Sequence, residues 1–95
     1  MESRVASYTR VGALAGSFAH SVRAGNVPVA LCVGEPAVAK AVKATRKATI
    51  FLRESGFFAK DEALCIVPVE STMQDDATKT AFRLRIERMR HASDE

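Results

Sequence analysis

The chain has 95 residues, 47% of them hydrophobic and 26% charged, so it is long enough for one domain with a single modest core. Its net charge of +3 and pI near 9.2 are mildly basic, which does not by itself distinguish a nucleic-acid partner from a protein partner. Because it has no apolar run of about 18 residues and no signal-peptide pattern, we expect a soluble protein of the cytoplasm or nucleus without membrane contact.

The first predicted elements are a weak strand and a clear helix. Residues 1–8 predict at most a short edge strand or arm, because Val5 and Ala6 are too few apolar residues to cover one strand face. The first helix is predicted to begin with Thr9 as its N-cap and to end at Gly25. Its apolar residues recur at helical spacing and are Val11, Leu14, Ala15, Phe18 and Val22.

Three further segments have the composition of strands. Residues 27–33 and 63–69 are continuously apolar, which is typical of strands buried on both faces. In residues 79–89, apolar and charged side chains alternate, which predicts a strand with one buried and one solvated face. The connection at 70–78 is polar and acidic, and residues 90–95 are expected to fray. The alternating apolar residues of the last strand are Phe82, Leu84 and Ile86.

A second helix, predicted over residues 34–56, is the longest element. Pro36 suits its first turn, and Gly56 suits its end because glycine adopts the left-handed conformation easily. At about 100° per residue, one side of this helix is apolar and the other is basic. The predicted core side comprises Val38, Ala41, Val42, Thr45, Ala48, Thr49 and Leu52. The basic side comprises Lys40, Lys43, Arg46, Lys47 and Arg53.

The order of these elements predicts an α+β fold in one domain. A βαβ crossover makes the first two strands parallel, and the last two strands pair as a hairpin. The two helices then pack on one face of a small mixed four-stranded sheet, whose first strand is short or missing. The opposite face of the sheet is expected to be partly open.

Four large apolar residues do not fit the predicted core and are candidates for a protein interface. Ile50 and Phe51 project from the basic side of the second helix, and Phe57 and Phe58 lie in the linker that follows it. They indicate self-association, or contact with another protein, if they are exposed. The alternative for Ile50 and Phe51 is burial under the next loop.

The sequence lacks a pattern typical of catalysis, a cofactor or a metal. It has no phosphate-binding glycine loop and no nucleophile with a plausibly placed base, and we therefore expect no enzyme activity. His20 and His91 are far apart, and Asp75 and Asp76 are adjacent in a predicted turn. The two cysteines, Cys32 and Cys65, lie in apolar runs and are expected to be buried and reduced.

Several short motifs resemble the stage V sporulation protein S family. They are VGALAG at 11–16, AVKA at 41–44, the Ser-Gly pair at 55–56 and LCIVP at 64–68. The similarity runs over residues 10–88 in the same order of elements. This family belongs to the wider Alba group, which resembles the C-terminal domain of a bacterial translation initiation factor. The resemblance implies an Alba-like βαβαββ fold, dimers or larger assemblies, and binding of DNA or RNA.

The resemblance also implies where nucleic acid is bound. In Alba proteins, basic residues at the start of the first helix and around the second helix contact phosphates, which here correspond to Arg10, Lys40, Lys43 and Lys47. Three features depart from the family. The first strand is short and polar, which is expected to leave the strand at 27–33 with an unpaired edge. The hairpin connection at 70–78 is acidic, so it would repel phosphates. A short insertion at 58–61 adds aromatic surface.

Two functions are therefore weighed. The first is a nucleic-acid-binding module that contacts the DNA or RNA backbone without strong sequence preference. Its candidate residues are Arg10, Lys40, Lys43, Arg46, Lys47, Arg83 and Arg85. The second is a structural or adaptor subunit of a larger assembly, such as a cytoskeletal one, that binds proteins through Ile50, Phe51, Phe57 and Phe58. A basic helix face that is simply solvated is the alternative to both.

Overall fold

The computed structural model describes residues 2–73 and 80–90, and at positions 70, 72 and 73 it describes the backbone alone. The elements are β1 (Glu2–Val5), α1 (Val11–Arg23), β2 (Val29–Val33), α2 (Glu35–Glu54), β3 (Glu62–Met73) and β4 (Thr80–Arg90). The predicted α+β class and βαβαββ order are confirmed. Asp75, Asp76 and His91 lie outside the described residues. The predicted connection at 70–78 starts too early, because β3 continues to Met73.

The sheet has the strand order β1-β2-β4-β3. β1 is parallel to β2, whereas β4 is antiparallel to both β2 and β3. The prediction of an unpaired edge on the strand at 27–33 is wrong, since β2 is paired on both sides. Although β1 has only four residues, its Val5 is fully buried opposite Cys32, and this one apolar anchor aligns the short strand with β2.

One continuous core lies between the helices and one face of the sheet. Its largest fully buried apolar side chains include Phe18 of α1, Leu52 of α2 and Ile86 of β4. The side of α2 that faces this core is rich in alanine, and these small side chains allow its axis to approach α1 and the sheet closely. The fully buried alanines of α2 are Ala37, Ala41, Ala44 and Ala48.

The helix ends differ in part from the sequence prediction. Thr9 is not the N-cap of α1: the N-cap residue is Arg10, whose side chain makes no capping hydrogen bond. Instead, the Thr9 hydroxyl accepts a hydrogen bond from the Ala6 N–H at 2.9 Å, and the Thr9 N–H donates to the Ala6 carbonyl at 3.1 Å. Thr9 therefore closes the turn before the helix. Gly56 follows α2 with φ of 81°, as predicted.

The strand predicted at 63–69 is not buried on both faces, since Val69 of β3 is 48% exposed.

Three further predictions about burial are wrong. Phe58 is 4% exposed and belongs to the core, because the chain turns back after Gly56 and the Phe58 N–H donates to the Leu52 carbonyl at 3.0 Å. Val42 is 50% exposed, because it lies at the edge of the buried side of α2 rather than at its centre. Cys65 is only partly buried, because strand alternation directs its neighbours on β3 towards the helices.

Candidate nucleic-acid interface

Three lysines form a line along the outer surface of α2. Lys40, Lys43 and Lys47 lie within an arc of about 60° on the helix, and we name them the lysine stripe. Lys43 and Lys47 are exposed and Lys40 is half-buried. None of the three makes an ion pair or a side-chain hydrogen bond with any residue in 2–73 or 80–90. Within those ranges, no carboxylate neutralises their ammonium groups.

Arg10 lies at the same end of the domain as the start of the lysine stripe. The parallel strands β1 and β2 are each followed by a helix, so both helices begin beyond the carboxyl ends of these strands. Arg10 is the exposed N-cap residue of α1, and it too has no ion pair within the described ranges. The structure thus places Arg10 and the first turns of α2, which are distant in sequence, at one end of the domain.

The two arginines of α2 lie on a different flank, facing β3. Arg46 and Arg53 line a groove of about 330 Å³ between α2 and β3, together with apolar residues of both elements. The Arg53 Nε donates to the Glu62 carbonyl at 2.9 Å. One turn earlier, the Thr49 hydroxyl accepts the Leu64 N–H at 3.1 Å. Arg53 and Thr49 therefore cap backbone groups of β3, and such capping protects a strand edge from pairing with another chain.

Arg83 and Arg85 are separated from the lysine stripe by the sheet. On β4 they alternate with the buried Leu84 and Ile86, so they lie on the face away from the helices. Arg83 forms an ion pair with Glu2, and Arg85 pairs with Glu87 at 2.9 Å. The structure therefore groups only part of the predicted nucleic-acid-binding set.

A cluster of charges that the sequence reasoning missed surrounds Glu62, a buried carboxylate at the start of β3. Its Oε1 accepts the Ala59 N–H at 2.8 Å, and its Oε2 accepts Arg88 Nε at 2.9 Å and lies 3.6 Å from Arg90 Nη2. We name Glu62, Arg88 and Arg90 the Glu62 cluster. The Ala59 N–H, followed by the Arg88 side chain, lowers the pKa of Glu62 below its ordinary value.

The Glu62 cluster also holds the aromatic residues that follow α2. The Arg88 guanidinium lies 5.2 Å from the centre of the Phe57 ring and 4.9 Å from that of Phe58, within the range of cation–π contact. The strand alternation of β4 did not reveal this role, because Arg88 and Glu62 are 26 residues apart in sequence. The cationic charge of Arg88 is therefore used within the fold.

The four residues predicted for a protein interface do not form one surface. Phe58 is buried, and Phe51 packs partly against the core. Ile50 is half-buried beside the lysine stripe, and Phe57 is 39% exposed near the Glu62 cluster. The aromatic surface expected from the insertion at 58–61 is therefore absent, because Phe58, the one aromatic residue of that insertion, is buried.

A more exposed aromatic residue was missed by the sequence reasoning. Tyr8, in the turn between β1 and α1, is 87% exposed, and it lines a pocket of about 320 Å³ together with Arg4, Gly34 and Pro36. In the sequence, the one feature that could have indicated an exposed ring was an aromatic residue between the polar Ser7 and Thr9.

The described residues contain neither a metal-ion site nor a membrane-spanning helix. No group of three or more histidine, cysteine, aspartate or glutamate side chains in residues 2–73 and 80–90 is arranged to hold a metal ion. Neither α1 nor α2, the helices of those same ranges, is long and apolar enough to cross a membrane.

The short motifs of the sequence lie in α1, in α2 or directly after it, and in β3. Comparison with known proteins tests the family resemblance that these motifs indicate. A search of the curated proteins found no match to this chain. The family model described as Stage V sporulation protein S matches residues 2–89, which include α1, α2 and almost all of the described strand residues. On the basis of this match over nearly its whole length, the chain belongs to the stage V sporulation protein S family.

Proposed function

We propose that this protein binds the phosphate backbone of DNA or RNA through Arg10 and the lysine stripe, without catalysis and without strong sequence preference. The observation that carries the proposal is the difference in pairing among the cations. Arg10, Lys40, Lys43 and Lys47 have no ion pair with any described residue. The arginines of β4 that the structure describes are Arg83, Arg85, Arg88 and Arg90, and each contacts a carboxylate.

The chemistry of the site favours phosphate as the ligand. Lysine ammonium groups on a helix surface are flexible point charges that attract phosphates but do not form the paired hydrogen bonds that distinguish bases. Their affinity for nucleic acid depends on the release of counterions and therefore falls steeply with salt. If Arg10 and the three lysines each neutralise one phosphate of a duplex, the log–log slope against salt is about −4 per protein chain.

Self-association is part of the proposal. Two or more copies that each present a lysine stripe bind one nucleic acid more tightly than a single copy, since later contacts become intramolecular. We expect a homo-oligomer, and light scattering coupled to size exclusion measures its mass directly. A monomer at all concentrations would contradict this part alone.

A subunit that binds only other proteins is less well supported. Two features that favoured this hypothesis were an open edge on β2 and an exposed Phe58. In the structure, β2 is paired on both sides and Phe58 belongs to the core. The remaining exposed aromatic of the predicted interface, Phe57, packs beside Arg88. Charge reversal on the lysine stripe distinguishes protein-only binding from nucleic-acid binding.

The test is charge reversal on the lysine stripe. We expect Lys40→Glu with Lys43→Glu to lower duplex affinity at least tenfold at low salt, and to reduce the magnitude of the salt slope by about 2, since each lysine accounts for about one unit. Fluorescence anisotropy with a labelled duplex, measured over a salt series, gives both quantities. Circular dichroism establishes that the variant is folded.

The matched control reverses the same number of charges at the other end of the helices. Arg23 ends α1 and Lys60 follows α2, and both are exposed. Arg23→Glu with Lys60→Glu should reduce affinity much less than the stripe variant, since it changes only the long-range field. Equal losses in the two variants, or no duplex binding by the wild type, would overturn the proposal. Loss of binding to co-purifying proteins only, with nucleic-acid affinity unchanged, would favour the protein-only subunit.

A further inference from the structure

Tyr8 is held outwards on a well-defined turn. It lies between Ala6 and Thr9, which are joined by two reciprocal hydrogen bonds of 2.9 and 3.1 Å. These bonds fix the backbone on both sides of the tyrosine. The ring is 87% exposed, whereas the next most exposed large apolar side chain among the described residues, Val42, is 50% exposed. A rigid turn that presents its aromatic ring to solvent is prepared for stacking without a further loss of backbone entropy.

The ring stands beside a pocket rather than on a flat surface. The pocket has a volume of about 320 Å³ and lies where β1 and β2 end and α2 begins, lined by Arg4, Val33, Gly34 and Pro36 besides Tyr8. This volume is at the lower end of the range of about 300–1,000 Å³ that is usual for small-ligand sites. It suits one planar group rather than a base pair. We name this site the Tyr8 pocket.

Cations flank the ring along the chain. Arg4 lines the pocket from β1, and Arg10 follows Tyr8 by two residues; both are exposed and, within residues 2–73 and 80–90, neither has an ion-pair partner. Pro36, on the other wall, lies on the same side of α2 as the lysine stripe, one turn before Lys40. The pocket therefore opens at the start of the surface proposed for phosphates.

We infer that the Tyr8 pocket binds one unpaired nucleotide of a single-stranded nucleic acid, with the base stacked on the Tyr8 ring and Arg4 and Arg10 beside the adjoining phosphates. The inference rests on the proposed function and adds a preference for single strands. An aromatic ring stacks on the face of a base, which neighbouring bases cover in a duplex but leave accessible in a single strand.

The composition of the chain allows a direct measurement. Tyr8 is the one tyrosine in the sequence and there is no tryptophan, so the intrinsic tyrosine emission comes from this residue alone. We expect a short single-stranded oligonucleotide to quench this emission on binding. An abasic oligomer with the same number of phosphates should bind but cause little quenching. In Tyr8→Trp, excitation at wavelengths that nucleic acids do not absorb removes the inner-filter effect.

Substitutions separate stacking from charge. Tyr8→Ala should lower affinity for the single strand roughly fivefold to a hundredfold, as removal of a stacking aromatic does in other proteins, while Tyr8→Phe should retain it. Affinity of Tyr8→Ala for a duplex of the same length should change by less than about twofold, because Arg10 and the lysine stripe are intact. Circular dichroism of each variant checks that the fold is retained.

The outcomes distinguish this inference from the proposed function. If the lysine-stripe variant loses duplex binding but Tyr8→Ala binds single strands as wild type does, the inference is overturned and the proposed function stands. Equal quenching by abasic and ordinary oligomers also overturns the inference. If Tyr8→Ala changes self-association but not single-strand affinity, the ring belongs to a protein contact and the inference is again overturned. A wild type that binds neither form contradicts both.

Discussion

The cations of the Glu62 cluster and those of the lysine stripe have the same charge but different surroundings. Arg88 contacts a buried carboxylate at 2.7 Å and two aromatic rings, so its charge is neutralised within the domain. Lys43 and Lys47 are exposed and form no ion pair with the described part of the chain. The difference shows that the net charge of +3 is a poor guide to which part of the surface is positively charged. Pairing decides which cations remain available.

The same contrast holds for the aromatic residues. Phe58 is packed in the core next to Arg88, whereas Tyr8 is exposed beside Arg4. Thus the end of the domain around Glu62 uses cations and rings for stability, and the end where the helices begin presents them to solvent. The following predictions test this division.

The largest expected effect comes from Phe58. Phe58→Ala should lower the free energy of unfolding by about 3–5 kcal/mol, because it removes a core aromatic and leaves a cavity. Phe57→Ala should cost only about 1 kcal/mol, since that ring is 39% exposed and its contact with Arg88 is near the surface. Urea unfolding measures both. Equal costs would show that the two rings are not divided between core and surface as described.

Glu62 gives the Glu62 cluster a predicted pH dependence. Its pKa is lower in the folded protein than in the unfolded chain, chiefly because of the Ala59 N–H and then Arg88, so the carboxylate stabilises the fold above the unfolded pKa of about 4.3. This stabilisation is lost as the pH falls through the folded pKa. Glu62→Gln should therefore be less stable than wild type at neutral pH, and the gap should narrow in acid.

The control for this titration is Glu54→Gln, which removes the same charge from an exposed position at the end of α2. Unfolding free energies of wild type and both variants, measured over a series of pH values, give the comparison. A gap between wild type and Glu62→Gln that stays constant down to the most acidic pH would contradict the lowered pKa of Glu62.

Arg53 and Lys47 are both cations of α2, and we expect opposite effects from their removal. Arg53→Ala should lower the free energy of unfolding by about 1–2 kcal/mol, because the Glu62 carbonyl loses a charged hydrogen-bond donor. Lys47→Ala should change stability by less than about 0.5 kcal/mol but reduce the salt slope of duplex binding by about 1. If Arg53→Ala reduced the free energy of duplex binding by more than it reduced the free energy of unfolding, the division of α2 into two flanks would be wrong.

The smallest effect concerns the two cysteines and requires no mutation. Burial raises the pKa of the Cys32 thiol to about 11, so little of the reactive thiolate exists at neutral pH. Cys65, which is partly buried on β3, should react with an alkylating reagent first in the folded protein. Mass spectrometry of a time course identifies the order. Simultaneous labelling would show that the core around Cys32 opens readily.

Much of the fold was predictable because it depends on local periodicity. The helical spacing around Phe18, the glycine at position 56 and the alternation of Leu84 with Arg85 are properties of neighbouring residues, and each predicted its element correctly. The resemblance to the stage V sporulation protein S family was likewise carried by short motifs and is confirmed. The error at Val42 lay at the edge of the buried side of α2, and the error at Phe58 lay where the chain reverses after that helix. In both places burial depends on neighbouring elements that the local pattern does not specify.

The candidate site was less predictable. Lys43 and Arg53 are indistinguishable in a helical projection as cations away from the core, and Tyr8 belongs to no periodic segment. What separates Lys43 from Arg53 is the position of β3 beside one flank of α2. What gives Tyr8 its surroundings is the meeting of β1, β2 and α2 at one end of the sheet.

By itself, the sequence determined which segments are helices and strands, their order and one basic helix surface, since these follow from side chains a few residues apart. Only the tertiary structure decided which cations are neutralised and which aromatic rings are buried. Those outcomes depend on strand register and chain reversal, which bring residues as distant as Glu62 and Arg88 into contact. An ion pair needs two partners in space, and a pattern along one segment specifies only one of them.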